Sequence, residues 1–370
     1  MVKNLAVLIG IVCVTGCSPL TSGEQPSPSA AESRDSPSAA PSPSSIPTTA
    51  ITFSQAWPNF KPRPVDPNTF VEVSNAPDGS IALGEALAEA PPHAELGPAI
   101  MNRATGKITM IRPFSNPRSQ VVWIVGDATW VVWVEGSLQP TFADWVLYSY
   151  SRKTRQIRTL AAAPRPYKNT PWVFPSMSNG VIVWSAIEGV DGVEHVYAIN
   201  ADGTNLRVLE SSAVGPQIVW PWVVYDSVPS SPESHGTLSR QNLETGQTQT
   251  LGGPIDVSYY AYDGEALAWI SGDTNSVFLQ APIDSSPIQL FSGMHLQFVN
   301  LNQRLVGWGQ NEGAFAYDRK LRIVVRLSNL SLAYPVIGAQ AIDWGYQPNP
   351  NATDPFSGAV WELGDISQLP

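Results

Sequence analysis

The sequence predicts an all-β fold, a β-propeller of seven four-stranded blades, and three observations predict it. A hairpin of one design, strand, polar turn and strand closing on an aliphatic residue, recurs along the chain. A short apolar strand that usually ends in Trp precedes each hairpin. The residues at the Trp position are Leu83, Trp133, Trp184, Tyr225, Trp269, Trp308 and Trp344, spaced by 50, 51, 41, 44, 39 and 36 residues. A unit of four short strands repeating near every 40 residues is the signature of a propeller blade, because one blade cannot bury both faces alone and stacking between neighbours does.

Taken in order, the chain starts with an export leader. Lys3 gives a thin positive region, and Leu5 to Val14 is apolar. That run is shorter than the ~20 residues a membrane span needs, and it suits a signal-peptide core. It ends in Val14-Thr15-Gly16-Cys17, which resembles the lipobox of bacterial lipoproteins. The resemblance implies that residues 1–16 are removed, that Cys17 is lipidated, and that the protein sits outside the cytoplasm on a bacterial membrane. The other cysteine, Cys13, falls within the removed leader, so no internal disulfide is expected in the mature chain.

Residues 17–50 form a tether. The Ser/Pro/Ala/Thr composition of this tract cannot bury a core. At ~3.1 Å per residue, such a spacer reaches on the order of 100 Å.

Residues 51–370 form the propeller. The hairpins are "AIMNRATGKITMI" (99–111), "LYSYSRKTRQIRTL" (147–160), "VYAINADGTNLRVL" (196–209), "LSRQNLETGQTQTL" (238–251), "FLQAPIDSSPIQL" (278–290) and "FAYDRKLRIVVRL" (315–327). Gly106, Gly203 and Gly246 stand where a tight turn requires positive φ. A third strand precedes the Trp strand, as in "VVWIVG" (121–126) and "PQIVW" (216–220). The repeated Trp or Tyr is expected to pack between blades. The seventh unit lacks an outer strand, which leaves six or eight blades open. Propellers close by borrowing a strand from the other terminus, which removes an exposed edge. "AITFSQA" (50–56) is the expected closing strand, with "DISQLP" (365–370) as the alternative.

The segment "VYAINADGTNLRVL" is similar to the WD40-like repeat of the TolB-type propeller family, with Asp202, Gly203, Asn205 and Leu209 matching its strand, Asp-Gly-x-Asn and strand pattern. The blade pattern extends over about 51–370, and no segment corresponds to the N-terminal α/β domain that TolB carries. The resemblance implies fold and envelope location and leaves function open.

Charge excludes one class of partner. The net charge is -10 with 14% charged residues, so the Lys/Arg footprint that nucleic acid requires is absent. A Gly-x-Ser-x-Gly nucleophile motif is missing, and "SMSNG" (176–180) lacks its first Gly. The four His, at 93, 195, 235 and 295, have no zinc-ligand spacing. Glu188, Asp191 and Glu194 share one loop that reads as a solvated acidic turn, and "GDATW" (126–130) resembles part of a sialidase Asp-box without its leading residues. No metal, cofactor or catalytic residue is assigned.

Long connections on one face are the expected ligand surface. Arg165, Tyr167, Lys168 and Trp172 form a basic-aromatic loop on an acidic protein, a mix suited to a peptide, a glycan or an anion. His195 and His235 fall just before third strands and are expected on the same rim. The leading expectation is a monomeric, lipid-anchored propeller that binds an envelope protein, peptide or glycan. The alternatives are a glycan hydrolase or lyase with its site in the central channel, and a structural subunit of an envelope assembly. Carboxylates converging in the channel mouth would favour the enzyme; a mouth lined by Trp, Tyr, Ser and Asn would favour the binder.

Overall fold

The structure, a computed structural model, describes residues 49–65, 69–89, 94–116, 118–137, 144–163, 173–187, 193–227, 236–251, 257–272, 274–310, 313–330, 333–346 and 360–370. Its strands form seven sheets. Naming strands from the axis outward, blade 1 holds Phe70–Asn75, Ile81–Leu87, Glu95–Asn102 and Ile108–Met110. Blade 2 holds Ser119–Gly126, Trp130–Ser137, Val146–Ser151 and Ile157–Ala162. Blade 3 holds Ser176–Ser178, Val181–Ile187, Glu194–Asn200 and Arg207–Ser211. Blade 4 holds Ala213–Val219, Trp222–Ser227, Thr237–Asn242 and Thr248–Thr250. Blade 5 holds Val257–Tyr262, Leu267–Ser271, Ser276–Gln280 and Ile288–Ser292. Blade 6 holds Gln297–Leu301, Leu305–Gln310, Gly313–Asp318 and Ile323–Ser328. Blade 7 holds Tyr334–Ile337, Ala341–Tyr346 and Val360–Asp365. The innermost strands neighbour one another all the way round, that of blade 7 lying beside that of blade 1. The fold is the seven-bladed β-propeller the repeat predicts.

The second strands read as near-continuous apolar runs because both their faces are buried. In blade 3, Ile182 and Trp184 pack with blade 2, whereas Val181 and Val183 pack with blade 4. The repeated aromatic is an inter-blade packing residue, as expected. It also stacks on an aromatic of its own third strand. Trp133 lies on Tyr148, Trp184 on Tyr197, Trp269 on Phe278 and Trp308 on Phe315, with centroids 5.1, 5.3, 5.4 and 6.0 Å apart.

One hydrogen bond marks the blade register. A backbone N–H just beyond each third strand donates to the carbonyl just before each second strand: Arg103 to Ser80, Arg152 to Thr129, Ala201 to Gly180, Leu243 to Pro221, Ile283 to Glu265, Arg319 to Arg304 and Ile366 to Gln340, all at 2.8–3.1 Å. In six blades the residue four places after that acceptor is Trp133, Trp184, Tyr225, Trp269, Trp308 or Trp344. In blade 1 it is Gly84, which corrects the assignment of Leu83. Leu83 faces the other way, toward Val131 and Trp133 of blade 2. The turn glycines behave as predicted, Gly106, Gly203 and Gly246 having φ of +71°, +86° and +73°.

The N-terminus closes the ring, through a different segment from the one expected. Arg63–Val65 is the outer strand of blade 7, antiparallel to Val360–Asp365 with Arg63 opposite Leu363 and Val65 opposite Trp361. Residues 50–56 serve elsewhere. Ile51–Thr52 adds a parallel fifth strand to blade 6, and Phe53–Ala56 forms one helical turn. The cause is burial of the two aromatics that follow. Trp57 and Phe60 are buried where blades 6 and 7 meet, Phe60 packing on Trp344. The chain must cross that seam before it can pair with blade 7. The 365–370 segment ends in a 3-10 turn, Ile366–Gln368.

Candidate functional site

Because strands alternate in direction, the connections from second to third strand, and from outer strand to the next blade, share one face. Innermost strands begin there. Near their starts, three consecutive blades each supply an aromatic: Tyr259 of blade 5, Phe298 of blade 6 and Tyr334 of blade 7. Their centroids are 5.5 Å apart for Tyr259–Phe298 and 6.2 Å for Phe298–Tyr334. All three are half-buried. Trp123 of blade 2 meets Phe174, which precedes the innermost strand of blade 3, edge-on at 5.2 Å, and Phe174 is exposed.

Phe298 is placed by a β-bulge. Gln297 pairs with Gly309 and Val299 with Trp308, leaving Phe298 as the extra residue, with φ +48°. A bulky residue in the left-handed region costs on the order of 1–3 kcal/mol, and bulges re-aim side chains. Innermost strands of blades 1, 2, 4 and 5 carry register shifts too. Tyr334 is held by its hydroxyl, which donates to the Glu72 carbonyl at 3.3 Å, and by Trp361 edge-on at 5.5 Å. Burial, then the nearby Glu72, pushes its phenol well above the usual range. The arc offers aromatic faces for stacking.

A second constellation lies on the same face between blades 1 and 2, on second and third strands. The Glu85 carboxylate accepts the N–H of Val121, which is itself the strand partner of Glu135. Arg112, just past the outer strand of blade 1, donates to Glu135 and lies over the rings of Tyr148 and Trp133, 4.7 and 5.7 Å from their centroids. Glu95 starts the third strand of blade 1. Burial, and then the nearby Glu95, holds the Glu85 carboxyl well above the usual carboxylate range. Burial pushes Glu95 up to about 7. Among the described residues no three His, Cys, Asp or Glu side chains gather to hold a metal ion.

Of the residues the sequence singled out, His195 stands in the third strand of blade 3, edge-on to Tyr197 with centroids 6.1 Å apart. Its buried Nδ1 has no hydrogen-bond partner. Arg165, Tyr167, Lys168, Trp172, His235 and Cys17 lie outside the described residues. Glu194 is half-buried, and burial raises its carboxyl. Asp127 of "GDATW" caps a turn, its Oδ1 accepting the N–H groups of Thr129 and Trp130 at 2.7 and 2.8 Å.

Sequence reasoning missed both constellations. Glu85 and Glu135 carried a usable signal, being glutamates inside apolar strands.

Solved structures share the architecture. An oligogalacturonate lyase from Vibrio parahaemolyticus aligns over 83% of this chain and 97% of its own, with TM-score 0.53 and 9% identity. TolB from Acinetobacter baumannii aligns over 60% of this chain and 54% of its own, with TM-score 0.43 and 12% identity. In fold the chain is a seven-bladed β-propeller. A chain of a nidogen/laminin complex aligns over 69% of this propeller and 90% of itself, with TM-score 0.43 and 12% identity. At these identities the likeness is one of fold alone. No family model matches the sequence of this propeller, and no curated protein does either.

Proposed function

We propose that this propeller is a binding module of the bacterial envelope, tethered by lipid on Cys17, that grips an envelope protein, a peptide or a glycan at the mouth of its central channel. One observation carries the reading: Phe298, a bulky residue at φ +48°, stands between Tyr259 and Tyr334 on three adjacent innermost strands. A strained aromatic among aromatics suits a stacking platform, the feature expected of a binder. The tether of residues 17–50 would carry the platform clear of the membrane.

The test is a paired capture. Full chain carrying Cys17→Ala, with and without Phe298→Ala, serves as bait on solubilised envelope. The reading expects a ligand retained by the first and lost by the second, and equal retention defeats it. Fractionation tests the anchor separately: the wild-type chain should stay with membranes, and Cys17→Ala should leave them.

A glycan-cleaving enzyme is the second reading. It is favoured by the mutual influence of the Glu85, Glu95 and Glu135 carboxyls, although these sit on second and third strands and not on the innermost strands around the channel. Release of reducing or unsaturated ends from acidic polysaccharide by wild type, absent in Glu95→Gln, would favour it.

A further inference from the structure

We propose that the seam between blades 1 and 2 is a second binding site, for a primary ammonium group, formed by Glu85, Glu95, Glu135 and Ser137. Two side chains cross this seam. Glu85 crosses from blade 1 to the Val121 N–H of blade 2, and Arg112 crosses the same seam to Glu135. Glu85 and Glu135 thus stand against one guanidinium, with Glu95 near enough to Glu85 to act on its carboxyl. That guanidinium is already engaged: it pairs with Glu135, donates to the Pro113 carbonyl at 3.0 Å, and lies over Tyr148 and Trp133.

Ser137 supplies the independent observation. It lies two residues beyond Glu135 on the same strand, so it projects from the same face into the same seam. It is 4% exposed, and its Oγ has no hydrogen-bond partner. A buried hydroxyl left unpaired costs stability, and such a group in a native fold points to a missing partner. An ammonium has three donors and no acceptor, so it can serve two carboxylates and a hydroxyl oxygen together. A lysine side chain of a partner and a small free diamine present the same group.

The charged and titratable groups around the pocket are Glu85, Glu95, Glu135, Arg112, Tyr148 and Asp144, whose Oδ1 accepts the Ser137 N–H at 3.0 Å. Glu95 titrates at about 7. A bound cation favours ionised Glu95, so binding expels a proton. Affinity therefore climbs as pH rises toward 7, by up to about tenfold per pH unit for each proton released.

Calorimetric titration of the full chain with 1,5-diaminopentane, and with a pentalysine peptide, tests this at pH 6 and pH 8. We expect tighter binding at pH 8, with proton release visible as a buffer-dependent heat. Glu95→Gln should weaken binding about 30-fold and reduce the proton release between pH 6 and pH 8. Ser137→Ala should weaken it about three- to tenfold. Binding of the diamine identifies a free amine as sufficient; binding of the peptide alone identifies a protein side chain. No binding of either probe, or binding indifferent to pH and to Glu95→Gln, overturns the proposal.

Discussion

Glu72 stands opposite Gly84 in blade 1, at the station where five other blades carry Trp and one carries Tyr. No side chain fits at position 84, because a Cβ there would run into the Val71 carbonyl oxygen. The buried Glu72 carboxyl turns instead to the closing seam with blade 7, where Arg103 pairs with Asp343 and donates to Asn75 Oδ1 at 3.1 Å and to the Gly364 carbonyl at 2.9 Å. Neither Glu72 oxygen has a hydrogen-bond partner. The station aromatic of the other blades is thus replaced at this seam by a polar cluster, beside the packing of Trp361 on Val71 and Leu87.

That seam should respond to pH. Burial, then the neighbouring Asp343, holds the Glu72 carboxyl well above its ordinary value. With the folded pKa raised, the folded state keeps the proton that the unfolded state gives up. This stability is complete below the unfolded value of about 4.3 and is lost as pH rises toward the folded pKa. Glu72→Gln should therefore raise the melting temperature at pH 8, and the gain should shrink toward pH 4. Melting curves of both proteins across that range check it.

The inter-blade aromatics should dominate stability. Trp184 is fully buried and stacked on Tyr197. Trp184→Ala should cost about 3–5 kcal/mol by urea unfolding. Met294, on an outer connection and well exposed, should tolerate Ala with little change.

The N-terminal clasp depends on Asp318. Its buried carboxylate accepts Trp57 Nε1 at 3.0 Å, Arg304 Nε and Nη2 at 2.8 Å, and the N–H groups of Lys320 and Leu321 at 3.0 Å. Removing one partner of a buried ion pair leaves the other uncompensated. Asp318→Ala should cost about 3 kcal/mol or more. It should also open the 49–65 segment to limited proteolysis before the rest of the ring.

The turn at Gly246 isolates a backbone effect. Its φ is +73° and a Cβ there would touch nothing. Gly246→Ala should cost about 1 kcal/mol through conformation alone. Chemical denaturation gives the value.

Much of the fold was legible because each blade repeats the same solution to the same burial problem. Trp133 through Trp344 and the turn glycines announced it. Gly84 was not legible, because its strand is apolar on both faces and Leu83 was its largest side chain. Arg63–Val65 escaped notice because three residues including Pro64 show no alternation; Ile51–Thr52 looked more strand-like. The aromatic arc was hidden for another reason. Tyr259, Phe298 and Tyr334 come from separate blades, and the bulge at Phe298 breaks the period of two by which a strand face is read.

The central claim, that the channel mouth is where this propeller holds its ligand, is tested most directly by placing a photo-cross-linking p-benzoyl-phenylalanine at position 298 in cells. A matched chain carries it at Ile157, on the outer strand of blade 2. The account predicts a discrete adduct at 298 on irradiation and none at 157. No adduct at 298, or the same adduct at both positions, would contradict it.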